Sequence, residues 1–306
     1  MVFPGQGSQS VGMMAGYDAY PVVQQTLAEA SAALGQDLSA LAADGPAEEL
    51  NQTVNTQPLM LAADVAVYRA WREAGGTEPA LVAGHSLGEY AALVAAGALQ
   101  LADALPLVRF RAQAMQEAVP AGVGAMAAVM GIDDAGIAAA CAEAAQGQIV
   151  EPVNFNAPGQ VVIAGHREAV ERAIAVAKTK GAKRGVLLPV SAPFHSSLLK
   201  PAAERLAAYL ASVPVQTPAL PVIHNVDARV GENPDAIRTA LARQAASPVR
   251  WVESVQAFVA SEVTHIIECG PGQVLSGLCR RIAPDLVVLP TNDGAALEAA
   301  LAAVPG

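Results

Sequence analysis

Cysteine is scarce in this chain: Cys141, Cys269 and Cys279 are the only three among 306 residues. Without CxxC or Cys/His ligand spacing they offer neither a structural zinc site nor a disulfide framework, and a reducing cytoplasm is the expected home. Uninterrupted apolar runs are missing too. Polar or glycine residues break each one before membrane-spanning length, and the start MVFPGQGSQ lacks the basic and apolar regions of a targeting signal, so no membrane association is expected. Basic residues are outnumbered, with Lys+Arg at 18 against Asp+Glu at 28 and a formal net charge of -10. That balance disfavours nucleic acid and anionic surfaces. One stretch runs against it: KTKGAKRG gathers Lys178, Lys180, Lys183 and Arg184 at the end of an expected helix, as favourable C-terminal cations or as a dock for an acidic partner. What is plentiful is apolar surface, at 53% of residues, enough for a substantial core.

Strand-like apolar runs alternate with alanine-rich helical runs, which predicts an α/β protein with a mainly parallel sheet. The middle follows a different order. From Gly124 to Ser191 the expected elements are strand GAMAAVMG, helix DAGIAAACAEAA, strands EPVNFNA and QVVIAGH, helix EAVERAIAVAKTKG and strand RGVLLPVS. This βαββαβ order matches the ferredoxin-like arrangement. The expected organisation is therefore a large α/β domain in two parts, 1–123 and 192–306, interrupted by a small domain at 124–191, with a cleft between them.

Gly84-His85-Ser86-Leu87-Gly88 fits GxSxG between an expected strand, PALVAG, and an expected helix, the context that gives the motif its meaning. Ser86 is then a nucleophile on a sharp turn or a helix-capping serine. A nucleophile needs a base. Of His85, His166, His195, His224 and His265, the best placed is His195, in the proline-stiffened connection LPVSAPFHSS; His224, near the end of LPVIHN, is second. Most acids between Ser86 and His195 fall in the small domain, which argues against a plain esterase triad and for a histidine oriented by a carbonyl or amide. On the wheel of LADALPLVRFRAQAMQEA, Arg111 lies at the edge of the apolar stripe through Leu101, Ala104, Val108, Ala112 and Met115, while Arg109 lies on the opposite flank. A guanidinium near the core calls for a carboxylate, from the protein or from an acidic substrate. PGQGSQSVG carries Ser10 where a dinucleotide fingerprint needs its third glycine, but its turn could lend an N–H to an oxyanion.

The segments FPGQGSQ, GHSLGEYAAL, RAQAMQEAVPAGVGAMAAVMG, PVNFNAPGQVVIAG, PFHS and PVRW, in that order, resemble the malonyl-CoA:acyl carrier protein transacylases over essentially the whole chain. The resemblance implies an α/β-hydrolase-like large domain, a ferredoxin-like small one, and acyl transfer in fatty acid or polyketide synthesis. It implies Ser86 as nucleophile, His195 as general base and acid, Arg111 on the malonyl carboxylate, and Gln6 and Leu87 as backbone oxyanion donors. Gln244 matches the position whose carbonyl orients the histidine, and Phe194 the residue that crowds a methyl on the substrate α-carbon. The implied partners are malonyl-CoA and an acyl carrier protein, with no metal, redox group or other cofactor, and monomer is the default state. Only Met1 and Val2 precede Phe3, fewer residues than the family usually has, so a short first strand or a trimmed start is expected. A serine acyl hydrolase or thioesterase using the same dyad, and an inert scaffold, are the competing readings.

Overall fold

The computed structural model describes residues 1–231 and 233–304. In chain order its strands are β1 (Val2–Phe3), β2 (Val82–Gly84), β3 (Gly124–Met130), β4 (Val150–Ala157), β5 (Gln160–His166), β6 (Arg184–Leu187), β7 (Val222–Ile223), β8 (His265–Glu268) and β9 (Val287–Pro290). They form two sheets. One is five-stranded with order β7-β2-β1-β8-β9, and every neighbouring pair in it is parallel. The other is four-stranded with order β4-β5-β3-β6, and every neighbouring pair is antiparallel.

The parallel strands are short apolar runs because both of their faces are buried. Val2, Ala83, Ile223, Ile266 and Val288 enter a core shared with the helices Trp251–Ala260 and Val274–Ile282. Their strand neighbours Phe3, Val82, Val222 and Ile267 enter the opposite core, with the helices Thr53–Glu73, Gly88–Ala95 and Leu101–Glu117. Among the described residues, no helix is long and apolar enough to cross a membrane.

The antiparallel sheet also divides its side chains by the two-residue period of a strand. Ala125, Ala127 and Val129 of β3 and Val161 and Ile163 of β5 pack under the helices Asp134–Ala145 and Arg167–Thr179. The alternate residues Met126, Val162 and Ala164 face the core of the parallel-sheet unit instead. A one-residue slip would exchange these two sets. The order β3, helix, β4, β5, helix, β6 is the βαββαβ order read from the sequence. β6 ends at Leu187, short of the expected Ser191. Pro189 has no N–H for the ladder, and Leu188 and Val190 turn to line the cleft.

Candidate active site

Three parallel strands deliver the site from their carboxyl ends, the usual place for ligands in such sheets. β1 leads into Gly5 and Gln6, β2 into Ser86, and β7 into Asn225. The turn after β2 is too tight for side chains at its flanking glycines. A Cβ on Gly84 would lie 1.9 Å from the Gly88 backbone, and one on Gly88 would lie 2.1 Å from the Phe3 carbonyl oxygen. Ser86 has φ 52, the left-handed region that a residue with a side chain rarely adopts. Its N–H donates to Asn225 Oδ1 at 2.7 Å, its carbonyl accepts from Gln244 Nε2 at 2.8 Å, and Asn225 Nδ2 donates to the Gly84 carbonyl at 2.7 Å. The strained residue is therefore clamped on both sides. Its hydroxyl does not cap the following helix, which begins without a side-chain cap bond.

The hydroxyl instead lies 2.7 Å from His195 Nε2. His195, itself at φ 65, directs Nδ1 to the Gln244 carbonyl oxygen at 2.8 Å. A carbonyl only accepts, so Nδ1 holds the proton and Nε2 presents its lone pair to the serine. Burial, and then the charge of Arg111, lower the His195 pKa to about 3. The imidazole is thus neutral, with its Nε2 lone pair free, at any ordinary working pH.

Arg111 is buried within the helix Leu101–Glu117 and lines the same cleft. Its Nη1 donates to Gln57 Oε1 at 2.8 Å, and its Nη2 donates to Gln244 Oε1 at 2.8 Å and to Ser86 Oγ at 3.2 Å. The guanidinium carbon lies 5.4 Å from the centroid of the Tyr90 ring. Among the described residues no carboxylate pairs with Arg111, and its buried Nε has no hydrogen-bond partner. Of the two carboxylate sources open to the sequence, the protein supplies none in contact.

Gln6, Leu87 and Phe194 line this cleft of about 200 Å³. The glycine-rich turn is pressed onto the elbow: a Cβ on Gly5 would come within 2.4 Å of the His85 carbonyl oxygen and 3.6 Å of Leu87 N. The antiparallel sheet supplies the facing wall through Met126 and Val162, with Leu188 and Val190 beside them. His224, the second choice for a base, is not at the serine: its Nδ1 bonds the buried Glu89 carboxylate at 2.6 Å. His85 Nε2 bonds Asn156 Oδ1 at 2.8 Å, His166 Nδ1 accepts from Ile149 N at 2.9 Å, and His265 bonds Thr264. Arg109 reaches the Leu34 carbonyl and Gln36, away from the cleft. In the basic stretch, Lys180 pairs with Glu143 at 2.9 Å, and Lys178 occupies the last turn of its helix. Gln57, Glu89 and Asn225 escaped the sequence reading, because each meets partners distant in the chain and no local spacing marks it. No group of three or more His, Cys, Asp or Glu able to hold a metal ion occurs among the described residues.

A serine on a strand-to-helix elbow, bonded to a neutral histidine at the carboxyl ends of a parallel sheet, is the arrangement of an α/β enzyme of acyl transfer. The chain belongs to the acyl transferase domain family, whose model matches residues 1–282. It is 58% identical over 301 residues to the malonyl CoA-acyl carrier protein transacylase of Escherichia coli (strain K12), covering 98% of this chain and 97% of that one. Among solved structures it resembles the acyl-carrier-protein S-malonyltransferase of Burkholderia pseudomallei 1710b, with TM-score 0.97, 61% identity and 98% of each chain covered. A malonyl-transacylase solved in complex with its type II PKS acyl-carrier protein matches with TM-score 0.97 and 54% identity over 99% of this chain and 98% of that one.

Proposed function

We propose that this protein moves a malonyl group from malonyl-CoA to the phosphopantetheine thiol of an acyl carrier protein, in fatty acid or polyketide synthesis. The observation that carries this reading is the buried guanidinium of Arg111, 3.2 Å from the Ser86 hydroxyl and bonded to amide oxygens where a carboxylate belongs. An acyl group that ends in a carboxylate completes that charge. It also brings its thioester carbonyl to the serine.

In the first half-reaction His195 Nε2 takes the Ser86 proton as Oγ attacks the thioester carbon. The Gln244 carbonyl holds the resulting imidazolium, and the backbone N–H groups of Gln6 and Leu87 receive the oxyanion. Collapse breaks the carbon–sulfur bond, His195 returns the proton to the departing coenzyme A sulfur, and a malonyl-serine ester remains. The carrier thiol then gives its proton to His195 and its sulfur attacks the ester carbon; on collapse the carbon–oxygen bond breaks and His195 returns that proton to Ser86 Oγ, which leaves the malonyl group on the carrier sulfur and the enzyme regenerated. Loss of one oxyanion donor costs about 2.7–4 kcal/mol in such sites, so the shape of the Gly5–Gly7 turn bears directly on rate. Phe194 crowds an α-methyl group, a discrimination of about 1–3 kcal/mol. No step calls for a metal or redox cofactor.

Residues 124–191 act in this reading as a small domain set between the two parts, 1–123 and 192–306, of the large one. One chain provides Ser86, His195, Arg111 and Gln244, which supports a working monomer, and three buried free cysteines support a reducing cytoplasm. Intact-protein mass spectrometry after mixing with malonyl-CoA tests the reading. A malonyl adduct on the parent protein, absent from Ser86→Ala, is expected. No adduct, or one that survives the substitution, overturns it, and steady release of free malonate without a carrier thiol would mark a hydrolase.

A further inference from the structure

Behind Arg111 lies a buried acid that the reaction above does not use. Glu89, fully buried on the helix Gly88–Ala95, accepts from His224 Nδ1 at 2.6 Å, from Asn225 N at 3.0 Å and from Gln244 Nε2 at 2.7 Å. Gln244 is therefore a bridge. Its amide nitrogen faces Glu89 and the Ser86 carbonyl, while its amide oxygen faces Arg111 Nη2 at 2.8 Å. A guanidinium has only donors, so the reversed amide would set donor against donor at Arg111 and oxygen against carboxylate at Glu89.

We infer that Glu89 is a positioning residue for substrate selection, placing its counter-charge one amide away from Arg111 so that the guanidinium is oriented yet left open to the carboxylate of the incoming acyl group. The inference rests on the proposed malonyl transfer. A carboxylate in direct contact would fill the guanidinium fork and exclude an acidic substrate. With no buried acid nearby, the amide of Gln244 would lose the partner that fixes its orientation, and the cation would lose its nearest compensation. His224 braces the far side of Glu89. Burial opposes charge on its ring, yet the bond to Glu89 raises its pKa above the ordinary histidine value.

The test exchanges the two groups. The double variant Glu89→Gln/Gln244→Glu keeps the atoms and volume nearly constant and sets a carboxylate directly on Arg111; Glu89→Gln alone releases the amide. kcat and KM are measured for malonyl-CoA and acetyl-CoA with holo carrier protein, alongside thermal melts. For the exchange, the malonyl-over-acetyl ratio of kcat/KM should fall at least about tenfold, as loss of a charged hydrogen-bond partner requires. In Glu89→Gln the malonyl KM should rise more than the acetyl KM. Retention of the parental ratio by the exchange variant, or equal losses on both substrates in Glu89→Gln, overturns the inference; if the exchange variant does not fold, Glu89→Gln decides. Should the parent protein itself show no preference for malonyl-CoA, the proposed function fails first and takes the inference with it.

Discussion

Arg111→Ala separates recognition of the acyl group from the chemistry performed on it. A guanidinium carries five N–H donors, and in the free protein Nη2 spends both of its own, on Gln244 and on Ser86 Oγ, while Nη1 spends one on Gln57. The 3.2 Å contact with Ser86 is the longest of these bonds and the easiest to surrender. A malonyl carboxylate can take that donor together with the second one on Nη1, making two charge-assisted bonds of about 1.5–3 kcal/mol each. Subtracting about 1 kcal/mol for the lost serine contact leaves roughly 2–5 kcal/mol, a fall of about 30-fold to several thousand-fold in kcat/KM for malonyl-CoA. Acetyl-CoA brings no carboxylate. Its kcat/KM should change by less than about tenfold, which the serine contact alone can account for. Steady-state transfer to a holo carrier protein, run with both thioesters beside a thermal melt, measures the contrast. Equal losses on both substrates would show that Arg111 only supports the elbow, and the assignment of the acyl group would fall with it.

The depressed pKa of His195 sets a pH dependence of unusual reach. Labelling of Ser86 by a neutral fluorophosphonate should stay level as pH drops through 6.5, since the imidazole protonates only near pH 3; an acidic limb at the ordinary histidine value would refute the burial argument. Asp64 is buried without a hydrogen-bond partner for either oxygen, and burial, followed by the charge of Glu268, raises its pKa well above the usual carboxylate value. The unfolded chain ionises this group while the folded one resists, so its contribution is complete below the unfolded pKa and is lost as pH rises towards the folded one. Asp64→Asn should therefore melt higher than the parent at pH 8, with the difference shrinking towards pH 4, and a Tm gap independent of pH would contradict this. Charge reversal at Lys183 and Arg184 should raise the KM for carrier protein without altering labelling of Ser86, and an unchanged KM would leave those cations as mere helix-end and edge-strand charges.

The small antiparallel unit was legible in the sequence because its elements are long enough for their periods to show; the helix DAGIAAACAEAA runs over Asp134–Ala145 as read. The helix Trp251–Ala260 was not anticipated. WVESVQAFVA is rich in residues that favour strands, and burial of Trp251, Val255 and Phe258 on one helical face outweighs that preference. β9, four residues long and at the sheet edge, leaves little pattern to read. At the site, GxSxG and the proline-rich segment around His195 are local marks, so those two residues could be chosen from the chain alone. Asn225, Gln57 and Glu89 could not. Their importance comes from folding distant segments together, as when Glu89 meets Gln244 across 155 positions of sequence.

The cleft has walls of different origin: turns at the ends of the parallel strands on one side, and the set of alternate β3 and β5 residues that faces the parallel-sheet unit on the other. Met126 and Val162 line the cleft yet bond neither Ser86 nor His195. In the proposed transfer, natural variation or laboratory design can therefore recut the mould that fits the acyl group while the Ser86–His195 pair is inherited intact.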